Sequence, residues 1–143
     1  MPAEIRLFTL EEANALVREL KPGLERLVEL KAQMDRLDVQ GEVLGLTVSA
    51  GGNSRNAEAI ELKSLQARRA KIADELSEGI RLIHDRGCVL KDLERGLLDF
   101  YTVVGDRLVF LCWMLGENEI THWHTLQGGF AGRQPLSRIH DIE

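Results

Sequence analysis

The chain has 143 residues, 44% of them apolar and 29% charged, with a formal net charge of −5. This is the balance of one globular domain, and it excludes wholesale disorder. The acidic total speaks against a broad nucleic-acid-binding surface. No stretch approaches the roughly 18 apolar residues of a membrane span, and the opening MPAEIR carries no basic-then-apolar leader.

Cys88 and Cys112 suit a reducing, cytoplasmic compartment better than a disulfide framework, and each reads as a small buried hydrophobe. Six of the seven aromatics (Phe100, Tyr101, Phe110, Trp113, Trp123, Phe130) lie in the last third of the chain, and only Phe8 stands apart. The chain therefore divides into two unlike parts of a single domain, 1–143.

The first part, residues 9–86, reads as a long antiparallel helical hairpin. Thr9-Leu10-Glu11-Glu12 is a capping box, with Phe8 placed to staple the helix start. Ala13, Leu16, Leu20, Leu27, Leu30, Met34 and Leu37 follow at heptad-like gaps, a coiled-coil seam with one empty slot near Gly23. Pro22 predicts a kink or break near Glu19–Pro22. Four glycines (Gly41, Gly45, Gly51, Gly52) among Ser and Asn predict a loop over 39–55, mobile or covering something. A second helix is expected from Asn56 to Arg86, with Gly87 as its left-handed end. Arg68, Arg69, Lys71 and Arg81 on it are interleaved with acids and read as a solvated face, so no nucleic-acid partner is expected.

The second part, residues 88–135, reads as a small antiparallel meander of about four strands and a glycine loop, making the fold α+β. Cys88–Leu93, Leu97–Val104, Arg107–Leu115 and Ile120–Leu126 are β-branched or aromatic runs. Gly105-Asp106 is a two-residue hairpin signal that sets Val104 against Arg107, Tyr101 against Phe110 and Asp99 against Cys112. A four-residue loop at 116–119 would set Trp113 against His122 and Leu111 against His124. Asp99 and both histidines then lie on opposite faces, whereas a three- or five-residue loop would reverse that. Neither face is polar, so both require cover. The hairpin can cover one. A second subunit, the terminal segment or a ligand must cover the other, which is the ground for expecting a homodimer.

His122-Trp123-His124 offers two imidazoles at a usable metal spacing. A metal ion needs a third ligand from Asp92, Glu94, Asp99, Cys112 or Glu117. Gly128-Gly129-Phe130-Ala131-Gly132-Arg133-Gln134-Pro135 is a tight glycine segment whose Arg133 suits a carboxylate or phosphate, or a local acid. Lys91, Asp92, Asp99, His124 and Arg133 are the candidate ligand-binding set. No nucleophile elbow or diagnostic Cys/His spacing exists, so the catalytic residues stay unknown.

RLFTLEEANAL, GCVLKDLERGLLDF, LVFLCWMLGE and HWHTLQGGFAGRQPL, in that order, resemble an uncharacterised bacterial family known as domain of unknown function 2203. The resemblance covers most of the chain, with 39–55 the least alike, and implies no activity, substrate or cofactor. Its character lies in residues that include Lys91, Asp92, Asp99, Cys112, Trp113, Glu117, His124, Phe130 and Arg133; His122 is a less typical companion.

Two functions of different class follow. The favoured one is a non-catalytic homodimeric interaction protein, with a hairpin arm and a sheet/glycine-loop core. The alternative is a small-molecule or metal-binding protein, or an enzyme, using the polar cluster on the sheet. Convergence of Lys91, Asp92, Asp99, His124 and Arg133 would favour the alternative, and a solution dimer the first.

Overall fold

A computed structural model describes residues 5–50 and 55–141. Helix α1 spans Leu10–Ala50 and α2 spans Arg55–Asp85. The strands are β1 Val89–Asp92, β2 Leu97–Val104, β3 Arg107–Met114, β4 His122–Thr125 and β5 Gln134–Pro135. The fold is α+β, with a two-helix hairpin leading into one antiparallel sheet of strand order β1-β2-β3-β4-β5. The expected four strands become five, because the last two residues of the glycine segment, Gln134 and Pro135, pair with β4.

The capping box forms as written in the sequence. Thr9 N donates to Glu12 Oε1 at 2.8 Å, and Glu12 N donates to Thr9 Oγ1 at 3.1 Å. Beside it Phe8 is buried and meets Phe100 edge-on. Past this start, two expectations fail. Helix α1 runs unbroken through Pro22. Arg18, whose carbonyl loses its donor, and Pro22 are both exposed, so water can satisfy that carbonyl. The loop expected over 39–55 is also overturned, since α1 continues to Ala50. Residues 51–54 lie outside the described residues. Each helical glycine costs about 1 kcal/mol relative to alanine. The seam nevertheless continues, with Leu44 seven residues beyond Leu37, and these leucines line the interhelical grooves with Leu62 and Leu65. Arg26–Glu75, Arg69–Asp38 and Arg86–Glu19 pair across the hairpin and confirm its antiparallel sense. Helix α2 ends on Gly87, at φ +94°, where a Cβ would also strike the Arg6 side chain.

Gly105-Asp106 turns β2 into β3 in the expected register, with Asp99 opposite Cys112 and Tyr101 opposite Phe110. The β3–β4 register differs by one residue from expectation. Cys112 opposes His122, Leu111 opposes Trp123 and Phe110 opposes His124. The physical reason lies in α1. Ile120 is buried in the core and its N–H donates to Asn14 Oδ1 at 2.8 Å, so Ile120 and Thr121 leave the strand. Glu117 completes the turn by accepting the Met114 N–H at 2.7 Å. A one-residue slip exchanges faces. Trp123 therefore joins Leu98, Phe100, Val109, Leu111 and Trp113 against α1 and α2, forming the core. His122 and His124 move to the outer face with Asp99, Phe110 and Cys112.

That outer face is largely closed by the chain itself. Asp99, Phe110, Cys112 and His124 are buried. Lys91 Nζ sits 4.8 Å from the Phe110 ring centroid, and Arg133 Nη2 of the terminal segment donates to the Cys112 carbonyl at 3.4 Å. Val103, near the hairpin turn, stays exposed.

Candidate functional site

Strands β2, β3 and β4 each contribute one reactive side chain to the outer face: Asp99, Cys112 and His124. Adjacent strands lie about 4.8 Å apart, so Asp99 and His124 are separated by two such spacings. Their side chains reach over β3, and His124 Nε2 comes within 2.9 Å of Asp99 Oδ2. Cys112 sits on β3 between them. One ligating atom from each of the three residues lies within 4.8 Å of the others.

The other imidazole nitrogen fixes the protonation pattern. His124 Nδ1 is 2.7 Å from the Thr125 carbonyl oxygen, which can only accept, so Nδ1 carries a hydrogen and donates it. Nε2 faces a carboxylate oxygen, another acceptor, so a second proton sits between ring and carboxylate. Burial is the largest single influence on His124 and opposes its charge. The hydrogen bonds to Asp99 and Thr125, with the charge of Asp99, outweigh burial and raise the pKa, against a smaller opposing effect of Lys91. Burial first, then the negative charge of Asp99, pushes the Cys112 thiol up to about 12. It is therefore a thiol at neutral pH and a poor nucleophile. Asp99 Oδ1 is buried without a hydrogen-bond partner among the described residues.

The five candidate ligand-binding residues do not converge as one set. Asp99 and His124 pair directly, and Lys91 lies beside them over Phe110. Arg133 flanks the cluster, but its Nη2 donates to Glu117 Oε1 at 2.8 Å and Oε2 at 3.0 Å, which is the local-acid role weighed for it. Its guanidinium also lies 5.0 Å from the Phe130 centroid. Asp92 is engaged elsewhere, accepting the Arg95 N–H at 3.2 Å in the β1–β2 turn. In that turn Gly96 has φ +63° and packs so closely on Leu115 that no side chain fits.

His122 and His124 share the outer face, as expected of alternate residues on one strand. Their surroundings differ. Half-buried His122 has Nδ1 2.9 Å from Thr121 Oγ1 and 4.0 Å from Glu117 Oε2. His124, rather than His122, lies within one group with Asp99 and Cys112. The one-residue slip of β4 is what brings the histidines to the face of Asp99. Cys112 stands opposite Asp99, as the Gly105-Asp106 turn predicts, and so lies beside the pair.

The four motifs quoted above stand in the order expected for one family. A family model described as an uncharacterized conserved protein (DUF2203) matches residues 6–136, and the chain belongs to that family. No curated protein and no solved structure matches the chain.

Proposed function

We propose that the protein is a non-catalytic, homodimeric interaction protein of the cytoplasm. The sheet and glycine segment form its rigid base, and the hairpin is a coiled-coil-like arm that pairs with the arm of a second copy. The observation that carries this reading is an apolar row near the end of the arm. Val39 and Leu46 on α1, seven residues apart, and Ile60 on α2 are 61%, 73% and 69% exposed. Heptad spacing is the pattern of helices that pack on further helices. The groove beside Val39 has a volume of about 480 Å³ and includes Leu44 and Leu65, with Glu61 and Arg68 also in its lining. Charges of both signs suit a two-fold copy, in which each Glu61 can face the other Arg68. Two hairpins so joined make a four-helix bundle.

The sheet offers less support for a dimer than its two apolar faces suggest, because Lys91 and Arg133 cover much of the outer face. The acidic net charge supports a protein rather than a nucleic-acid partner. No helix among the described residues is long and apolar enough to cross a membrane. The two buried free thiols support a reducing compartment.

Sedimentation equilibrium of the wild type and a Val39→Lys/Leu46→Lys variant tests the reading. The expected result is a wild-type dimer whose dissociation constant rises at least about tenfold in the variant, equivalent to about 1.4 kcal/mol. Both sites are exposed, so the monomer fold survives the change. A wild type that sediments as a monomer at every concentration overturns the proposal.

A further inference from the structure

The interaction reading makes no use of the polar groups buried on the outer face of the sheet. Asp99 and His124 are each only 1% exposed, and Cys112 is fully buried. Buried polar atoms are costly when left without partners. Here Asp99 Oδ1 has none among the described residues. The neighbouring Oδ2 faces the Nε2 edge of a ring whose Nδ1 is already committed to the Thr125 carbonyl. Two acceptors therefore point at one position, and something positive must stand between them. A proton fills that position at its smallest. The geometry accommodates more, because the Cys112 sulfur belongs to the same group of atoms.

We propose that Asp99, Cys112 and His124 form a site for a divalent cation of the zinc type. Sulfur, imidazole nitrogen and carboxylate oxygen together select a borderline-soft ion over magnesium or calcium, which prefer oxygen ligands. Zinc holds sulfur at about 2.3 Å and nitrogen or oxygen at about 2.0–2.2 Å, so tetrahedral ligand atoms lie about 3.3–3.6 Å apart. The present grouping lies within 4.8 Å, so side-chain rotations are needed to reach that spacing. The Thr125 carbonyl supplies what a metal-bound histidine ordinarily has, an acceptor for the ring N–H remote from the metal. Three different strands provide the ligands, so the ion would tie β2, β3 and β4 together, and water would take the fourth position.

Binding balances simply. The Cys112 S–H proton and the proton held between Nε2 and Asp99 leave to solvent, while the Nδ1 hydrogen stays on the ring. Each ion that enters releases two protons. Two cationic side chains border the site without closing it. Arg133 is neutralised by Glu117, and Lys91 is exposed, with a flexible stem that can turn its ammonium to water.

Cobalt(II) titration of chelator-treated full-length protein reads the site directly. The expected result is one equivalent bound, with a sulfur-to-cobalt charge-transfer band and the ligand-field bands of a four-coordinate centre. Zinc should displace the cobalt with no further proton release, whereas zinc added to the metal-free protein should release two protons in weak buffer. Cys112→Ser should abolish the charge-transfer band, and His124→Gln and Asp99→Asn should each weaken binding at least tenfold. Cys88→Ser and His122→Gln should leave the spectrum unchanged. Circular dichroism verifies that each variant is folded, and the wild-type titration decides by itself if one is not. Absence of any cobalt spectrum in the wild type overturns the proposal. So does a spectrum that survives in folded Cys112→Ser, or one lost in folded Cys88→Ser.

Discussion

Along the arm, Arg26 meets Glu75, Arg69 meets Asp38 and Arg86 meets Glu19 in pairs whose side chains are about half exposed. On the sheet, Asp99 and His124 meet with almost no exposure at all. The same kind of contact has a different weight in the two places. Exposed pairs give up little hydration and contribute about 0–1 kcal/mol, so the arm uses them to select an antiparallel register rather than to gain stability. A buried pair has already lost its water, so removing one partner leaves the other charge or dipole uncompensated. The sheet thereby concentrates both its packing and its chemistry in a few aromatic and polar residues. The arm spreads weak contacts over two long helices.

The largest test of that contrast is Asp99→Ala against Arg69→Ala. The first should destabilise the metal-free protein by about 3–5 kcal/mol, the second by no more than about 1 kcal/mol. Urea unfolding followed by tryptophan fluorescence measures both, and equal effects would break the comparison. A middle-sized effect is expected from Leu65→Ala, which opens the thin buried layer between α1 and α2. A loss of about 2–3 kcal/mol should come with faster amide exchange in the distal arm and little change in β2 and β3. Uniformly faster exchange would mean that arm and sheet unfold as one unit.

The smallest effect lies where the arm joins the sheet. Glu12 is held below its ordinary pKa chiefly by accepting the Thr9 backbone N–H, then by the hydrogen bond with the Thr9 side chain. A carboxyl depressed in the folded state stabilises above its ordinary value, and that contribution disappears as pH falls through the lowered value. Thermal unfolding of wild type and Glu12→Gln should therefore differ most near neutrality and converge as the solution is acidified below the ordinary glutamate range. A difference that grows on acidification would contradict the capping role.

Local signals carried much of this architecture. The Thr9–Glu12 box, the Gly105-Asp106 turn and the Gly87 helix end act within a few residues, and each can be read from the chain where it stands. The 39–55 segment and the β3–β4 register escaped for opposite reasons. Over 39–50, local composition misled, because Gly41 and Gly45 read as a loop while Leu44 kept the heptad going. Between β3 and β4 the deciding contact is not local, since Asn14 takes the Ile120 N–H from 106 residues away. That hydrogen bond moved His124 to the face of Asp99. Both residues were legible as candidates, but their meeting was not, because face assignment on a strand depends on a single residue of register.

The strand order β1-β2-β3-β4-β5 has a kinetic consequence. Every pairing in the sheet joins strands that are consecutive in the chain, and the two helices are likewise consecutive. Each half can therefore assemble by closing short loops, whose entropic cost is low. Distant contacts include those of Phe8 and the first turns of α1 with the sheet: Phe8 N to the Tyr101 carbonyl, and Asn14 to Ile120. Folding thus meets its principal long-range search at one step, the docking of residues 8–17 on the finished meander. That step also locks the β4 register on which the buried Asp99–His124 pair depends.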